Sequence, residues 1–508
     1  MRVRLLHPVN DPDLSPRLPW QLQNLVDEDL ELPRVYQAMA GGDEFLLETA
    51  KKIVPLTVCD PNVIVYRQQV LADCLANRAL VQQMYDIALD GVQVRRKVFL
   101  GGLMSRDPQA ILRRSVRILE ILVGNLRQLQ ALANKHGNSF SSFGFRQLLD
   151  MIRIQLCDEY LEQFDADLRE LHLPRGVMLS AALGLGNKGT DYLLHQPPNR
   201  NWWDKLTGNH GGSCGFVVDD RDEAGAKALI ELAGRAINDI ANTVTRSADH
   251  VEGFFARLRT ELGFYLACAN LYKQLMKVNA PCCFPTPTPM ASRRFCCRDL
   301  RDVGLCLTAT KRVIGNDIDA VGKSLIMLTG ANEGGKSTTL RSIGAAQVMM
   351  QAGMFVTATS FQANICDAVF THFKREEDDS HAHGKLDEEL ARMSDIADFV
   401  GSTSMLLCNE SFASTNEREG SQIARDVISA MVENGVKVVF VTHLYDLAHR
   451  LSSQGDPSSL FLRAQRRDDG VRTFRLAPGQ PESTSYGQDS FRRIFTEAAR
   501  EVTSAAKS

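Results

Sequence analysis

The sequence predicts a multidomain chain: a mainly α-helical region with a small strand-containing insertion, followed by an α/β domain built on a largely parallel sheet. Three observations carry this. At 508 residues the chain exceeds what one hydrophobic core organises, so two or three domains are expected. Over the first ~275 residues apolar side chains recur at spacings of three and four, the period of a helix packed by one face. Beyond residue 300, short apolar runs alternate with helical patterns, the texture of strands joined by crossover helices.

The helical part, expected over 1–280, contains two long patterns. Residues 111–135 place Leu112, Leu119, Leu122, Leu126 and Leu129 on one stripe, with Arg113, Arg114, Arg117 and Arg127 elsewhere. Residues 222–276 run through Leu229, Leu232, Ala236, Ile240, Val244, Val251, Leu258 and Leu262. If continuous, ~50 residues would extend about 75 Å, the scale of a projecting arm. Between them, 177–218 holds Gly/Asn turns, Trp202–Trp203 and short apolar runs, which predicts a small strand-containing insertion. The Pro-rich stretch CCFPTPTPM then marks a linker over 281–299, with the α/β domain expected from 300 to 508.

Composition narrows the function classes. Fifty-eight Lys and Arg against 61 Asp and Glu give a net charge of −3, which neither implies nor excludes a nucleic-acid face. No apolar stretch is long enough to span a bilayer, so no membrane role is expected. The N-terminus, broken by Pro and Asp, lacks the apolar stretch of a secretory signal. Twelve Cys in a chain this long fit reduced thiols in a cytoplasmic protein better than a disulfide scaffold.

Three segments carry chemistry. Gly330-Ala331-Asn332-Glu333-Gly334-Gly335-Lys336-Ser337 matches GxxxxGK[ST] in full, with an apolar run at 325–328 before it and a helical pattern from Thr338 after it. The main-chain N–H groups of such a turn wrap phosphate oxygens at a helix N-terminus, where the dipole favours anions. Lys336 would reach the β- and γ-phosphates of ATP, and Ser337 would place its hydroxyl on Mg²⁺. A second run, Met405 to Cys408, ends in Asn409-Glu410. A buried strand ending in acidic residues beside a P-loop is the Walker B arrangement, whose first position is usually Asp. Asn409 keeps an oxygen for the metal's hydration shell but loses the charge, whereas Glu410, the expected base, is intact. The third run, 436–441, ends in Thr442-His443, where a His can contact the γ-phosphate or the attacking water.

With these residues in view, the chain resembles the MutS mismatch-repair family. LTGANEGGKSTTLRSIGAAQVMMQAGMFVTA is similar to that family's P-loop and following helix; LLCNESFASTNEREG and VVFVTHLYDLAHRL resemble its Walker B segment and its THxxxL strand. Ser485-Tyr486-Gly487 resembles its closing motif, and the stretch from Asp60 to Asn77 resembles the start of its lever region. The resemblance implies an ABC-type ATPase domain with C-terminal dimerisation elements, helical levers, and a reduced clamp at 177–218. It implies ATP and Mg²⁺ as cofactors and Thr338 as a further phosphate contact. It also implies a site completed in trans by a signature segment of the other subunit. The matching stretch here is Gly384-Lys385-Leu386-Asp387-Glu388-Glu389-Leu390, which departs from Ser-Thr-Phe-Met-x-Glu and keeps only Glu389 at the acidic position. The same acidic run also fits a solvated helix start.

The departures shape the expected function. No Phe-x-Glu mismatch-recognition domain or connector domain is recognisable, so a short form is expected in which direct mismatch recognition is in doubt. The expected protein is a homodimer that clamps helical arms on duplex or branched DNA under ATP control. It would act in repair or recombination with partner proteins, in the cytoplasm and on the nucleoid. Lys188, Arg200, Trp202, Trp203 and Lys205 are candidate DNA contacts through charge and stacking, or ordinary packing of a small β unit. The pairs Cys282-Cys283 and Cys296-Cys297 invite a zinc reading, which adjacent cysteines disfavour because their side chains point apart. Two alternatives remain: a nucleotide-gated scaffold with little turnover, which Asn409 supports, and another ABC-type ATPase, which the absent LSGGQ motif and the short arms disfavour.

Overall fold

The computed structural model describes residues 1–482 apart from 12, 100–106, 175, 188, 196–217, 220, 376–383 and 468–470. It divides into two compact units. One holds Met1–Val3, Ala79–Ser141 and Phe145–Leu262; the other holds Arg4–Arg78, Ser142–Gly144 and Gly263–Ser508.

In chain order the helices open with α1 (Trp20–Asp29), α2 (Leu32–Ala40), α3 (Glu44–Ile53) and α4 (Pro61–Ala76). Their starts follow from the sequence: Asp43 and Asp60 accept from the free amides of Phe45 and Asn62 at 2.8 Å each, and Pro61 occupies the first turn, where its missing N–H costs nothing. Next come α5 (Arg78–Phe99), α6 (Pro108–His136), α7 (Phe143–Gln155) and α8 (Asp158–Leu171), then strands β1 (Met178–Leu183) and β2 (Gly189–His195) and the long helix α9 (Glu223–Lys277).

In the first unit the predicted stripe of α6 is buried throughout: Leu112, Leu119, Leu122, Leu126 and Leu129 all lie in the core. Each contributes roughly 1.5–3 kcal/mol of burial. Polar contacts fix the register. Ser115 meets Thr245 of α9 at 2.8 Å, and Arg127 and Gln130 of α6 reach Asp165 and Asp158 of α8 at 2.5 and 2.7 Å. Arg95 of α5 pairs with Asp249 and Glu252 of α9. The 55 residues of α9 confirm the long helix read from the pattern. Its first two stripe residues, Leu229 and Leu232, are exposed, however, and burial of the stripe begins at Ala236. Strands β1 and β2 pair antiparallel with a bulge at Ser180–Ala182, so the expected insertion contains a hairpin.

The second unit carries two sheets. One has four strands in the order β3 (Thr286–Thr288), β7 (Ser360–Asn364), β4 (Phe295–Leu300), β5 (Asn316–Asp319). The other has six in the order β12 (Arg472–Pro478), β11 (Ser459–Arg466), β6 (Leu325–Gly330), β10 (Lys437–Val441), β9 (Met405–Asn409), β8 (Val369–Phe373). All neighbours in the second sheet are parallel except the β11–β12 pair. Helices α10 (Val303–Thr308), α11 (Lys336–Gln351), α12 (Lys385–Ala397), α13 (Glu417–Glu433) and α14 (Tyr445–Ser453) complete it. The central strands are apolar at nearly every position because both faces are covered. On one face Met327, Leu406, Cys408, Val438 and Phe440 pack with Ala424 and Ile428 of α13, Leu447 of α14 and Leu22 of α1. Gly344 of α11 lets that helix approach the other face, since a Cβ there would meet Leu407 and Leu30.

Two expected boundaries are corrected. The stretch 281–299 is not a free linker, because β3 and most of β4 lie within it; Pro287 is tolerated since β3 is the edge strand of its sheet. Nor is 1–280 a unit of its own: residues 4–78 and those from Gly263 on belong to the same unit as the α/β half. Leu22 enters the sheet core, and Arg375 at the end of β8 reaches Glu28 and Asp29 at 3.0 and 3.4 Å. Apolar periodicity shows which face of a helix is buried, never against what. No described helix is long and apolar enough to cross a membrane.

Candidate functional site: a cavity at the strand ends

Parallel sheets bind ligands outside the carboxyl ends of their strands, and here three such ends carry the predicted residues. Strand β6 runs into the glycine-rich turn and then α11; β9 ends at Asn409; β10 ends at Val441, before Thr442-His443. Register sets these ends side by side, with Val441 opposite both Leu328 and Asn409.

The turn is shaped by its glycines. Gly330 and Gly335 have φ of 99° and 88°, a region closed to most side chains, and a Cβ on Gly330 would press on the backbone of Ala464. Lys336, 5% exposed, donates to the carbonyl oxygens of Gly330 and Ala331 at 3.0 Å each. Burial pulls its ammonium below the ordinary lysine value, the nearby Glu410 carboxylate opposes this, and Arg472 adds to the lowering. Ser337 Oγ donates to Asn409 Oδ1 at 2.8 Å, so the two residues expected at Mg²⁺ are in direct contact. Both are hard oxygen donors suited to that ion, with no charge supplied by Asn409.

Glu410 lies next to this pair, with His443 Nδ1 3.7 Å from its carboxylate. The interaction with His443 holds the Glu410 carboxyl below the ordinary glutamate value against the opposing effect of burial, and Lys336 and Lys374 add to it. Glu410 has φ of 55°, a strained conformation that costs on the order of 1–3 kcal/mol and is characteristic of working sites.

These groups face one cavity of about 710 Å³. Asn332, Glu333, Gly334, Gly335, Lys336, Ser337 and Thr338 line it together with Glu410 and His443. Leu305, Val313, Ile314 and Phe474 give it an apolar part, with Lys311 and Arg312 beside them. That part was not anticipated from the sequence. Its keystone is Asn316, 5% exposed, which donates to Thr339 Oγ1 at 3.1 Å and Phe474 O at 3.2 Å and accepts from Leu476 N at 2.7 Å. Replacing Asn316 by alanine leaves the Leu476 amide without its acceptor. The variant is expected to lose about 1–3 kcal/mol of stability, read as a lower urea midpoint, and to bind nucleotide more weakly in titration.

A model of the MutS2 N-terminal domain matches residues 59–278, and a model of MutS domain V matches residues 326–507. The chain belongs to the MutS family. Among its relatives, the DNA mismatch repair protein MutS of Haloquadratum walsbyi is 31% identical over 170 residues, 32% of this chain and 18% of that protein. The MutS of Prochlorococcus marinus strain MIT 9301 is 27% identical over 205 residues, 40% and 22% of the two chains. DNA mismatch repair protein MutS 2 of Haloarcula marismortui is 30% identical over 175 residues, 34% and 18%. The MutS chain described here thus matches only about a fifth of the length of these relatives.

The remaining expected MutS-type residues fall elsewhere. Gly384 caps the N-terminus of α12 and Lys385 opens that helix; neither lines the cavity. Glu389 is corrected. It does not face outward for a second subunit but is 3% exposed, accepting from Phe412 N at 2.5 Å and Ser414 Oγ at 2.6 Å within its own chain. Lys188, Arg200, Trp202, Trp203, Lys205 and the Ser485-Tyr486-Gly487 motif lie outside the described residues. No group of three or more His, Cys, Asp or Glu among the described residues is placed to hold a metal ion. Burial pushes the Cys297 thiol up to about 12, as for an inert core cysteine.

Proposed function

We propose that this MutS-family chain is a Mg²⁺-dependent ATPase whose cycle controls the grip of its helical arms on duplex or branched DNA, in repair or recombination. The observation that carries the reading is the convergence of Lys336, Ser337, Glu410 and His443 on one cavity, with Asn409 hydrogen-bonded to Ser337 behind it. In this scheme the P-loop amides and Lys336 bind the phosphates, and Ser337 and Asn409 hold hydrated Mg²⁺. When bound, the ion neutralises charge on the phosphoryl group. Glu410, kept ionised, accepts a proton from the attacking water, and His443 orients that carboxylate. The names of the relatives support a DNA mismatch repair role, and the reading extends to this chain a dimer with sites completed by Gly384 and Lys385 in trans. It also places the protein in the cytoplasm, on the nucleoid when bound to DNA.

The test is phosphate release by the full chain with ATP, with and without Mg²⁺. Slow release that stops on chelation supports the reading. A second reading, a nucleotide-gated scaffold, is favoured by one observation: the metal-side partner of Ser337 is an amide. Tight ATP binding with no release at any Mg²⁺ concentration would select it.

Asn409→Asp discriminates further. Restoring a carboxylate beside Ser337 is expected to lower the Mg²⁺ concentration for half-maximal turnover by roughly tenfold to a hundredfold. A Mg²⁺ titration of the rate reads this directly.

A further inference from the structure

The backbone after β9 is held in an uncommon shape. Glu410 and Phe412 both sit in the left-handed region, at φ of 55° and 63°, where non-glycine residues persist only if their surroundings over-determine them. Those surroundings come from β8 and α12. His372 of β8 is 1% exposed, places Nδ1 2.7 Å from Ser411 Oγ and stacks on Phe412 with ring centroids 5.3 Å apart. Glu389 of α12 accepts from the Phe412 amide at 2.5 Å and from the Ser414 hydroxyl at 2.6 Å.

The two anchors are joined to each other. His372 Nε2 lies 3.0 Å from the main-chain oxygen of Glu389. A carbonyl only accepts, so Nε2 carries the proton. Burial pushes the imidazole down to about 4, which leaves the ring neutral and makes Nδ1 an acceptor for the Ser411 hydroxyl. The same hydroxyl donates to the His372 carbonyl oxygen at 2.7 Å, so Nδ1 and that carbonyl share its single proton. Every donor of the 411–414 segment that meets these two residues is therefore engaged, and Gly420 of α13 leaves no room for a Cβ against the Phe412 carbonyl.

We propose that Glu389 and His372 are positioning residues, a buried clamp between α12, β8 and the 411–414 segment that fixes where the Glu410 carboxylate points. This rests on the ATPase reading of Glu410. Neither residue lines the nucleotide cavity, so the clamp acts on turnover and not on nucleotide affinity. The acidic run of α12 thus contributes through its one buried member.

The experiment uses the full chain with Glu389→Ala, which removes both acceptors, and Glu389→Gln, which keeps one. Turnover, nucleotide Kd and hydrogen–deuterium exchange are measured on each, with rates normalised to nucleotide-binding stoichiometry. The expected result for Glu389→Ala is a kcat lowered between about tenfold and a hundredfold with an unchanged Kd. Exchange should be faster in peptides spanning 405–415 and unaltered in those spanning the P-loop, and Glu389→Gln should fall between wild type and Glu389→Ala. Should Glu389→Ala fail to fold, the same comparison is decided on Glu389→Gln. An unchanged kcat at full nucleotide binding overturns the clamp, as does unchanged exchange at 405–415. If the wild type itself shows no turnover, the ATPase reading fails, and exchange alone decides whether the two residues hold the segment.

Discussion

Lys336→Ala is expected to lower ATP turnover by about 10²–10³-fold and to weaken nucleotide binding in the same variant. Two effects add. The buried ammonium is the one cation of the P-loop that lines the cavity, and charge placed in a partly desolvated site acts more strongly than in water. Its removal also takes the donor from the carbonyls of Gly330 and Ala331, so the turn that presents its amides to phosphate loses an internal brace. Fluorescent-nucleotide titration with phosphate release measures both losses. A thermal melt separates them from unfolding, because Lys336 opens α11 and its loss should leave the sheet intact. Wild-type affinity in this variant would remove the P-loop from the site.

Glu410→Gln is expected to separate binding from chemistry. The amide fills the same space but cannot take a proton, so turnover should fall by about 10²–10⁴-fold while ATP binding persists. The pH dependence carries a sign. Since the interaction with His443 holds the Glu410 carboxyl below its ordinary value of 4.5, the wild-type rate should not fall on this account until the pH drops below that value. A lowered folded pKa also contributes stability above the unfolded value, and that contribution is lost as the pH falls through the folded value. A pH–rate profile of wild type, with single-turnover rates for Glu410→Gln, checks both. Equal rates for the two proteins would assign Glu410 no chemical part.

Most of the phosphate side of this site was legible from sequence because its residues are local. The P-loop is a contiguous turn between a strand and a helix, and Asn409-Glu410 and Thr442-His443 each follow an apolar run that could only be a buried strand. The apolar side of the cavity was not legible: Asn316 and Phe474, 158 residues apart, meet only through the fold, and neither sits in a motif. Glu389 was misread for a different reason. An acidic run looks solvated, yet Leu386, Glu389, Met393 and Ile396 share one helical stripe, and that spacing puts Glu389 on the buried face. The Pro-rich stretch reads as a linker because proline breaks helices and central strands, and an edge strand such as β3 is the exception. The place of α1 in the core of the second unit has no local signal, because the strands that Leu22 packs with lie far along the chain.

The proposed function requires that ATP turnover at this site be coupled to DNA. Its most direct test is the phosphate-release rate of the full chain at one fixed, stated salt concentration, because phosphate contacts make DNA binding strongly salt-dependent. The rate is compared without DNA and with single-stranded, homoduplex, mismatched and four-way-junction DNA. Slow Mg²⁺-dependent release that one duplex or branched DNA accelerates selectively is expected. A rate indifferent to every DNA, from a protein that also binds none of them, would contradict it.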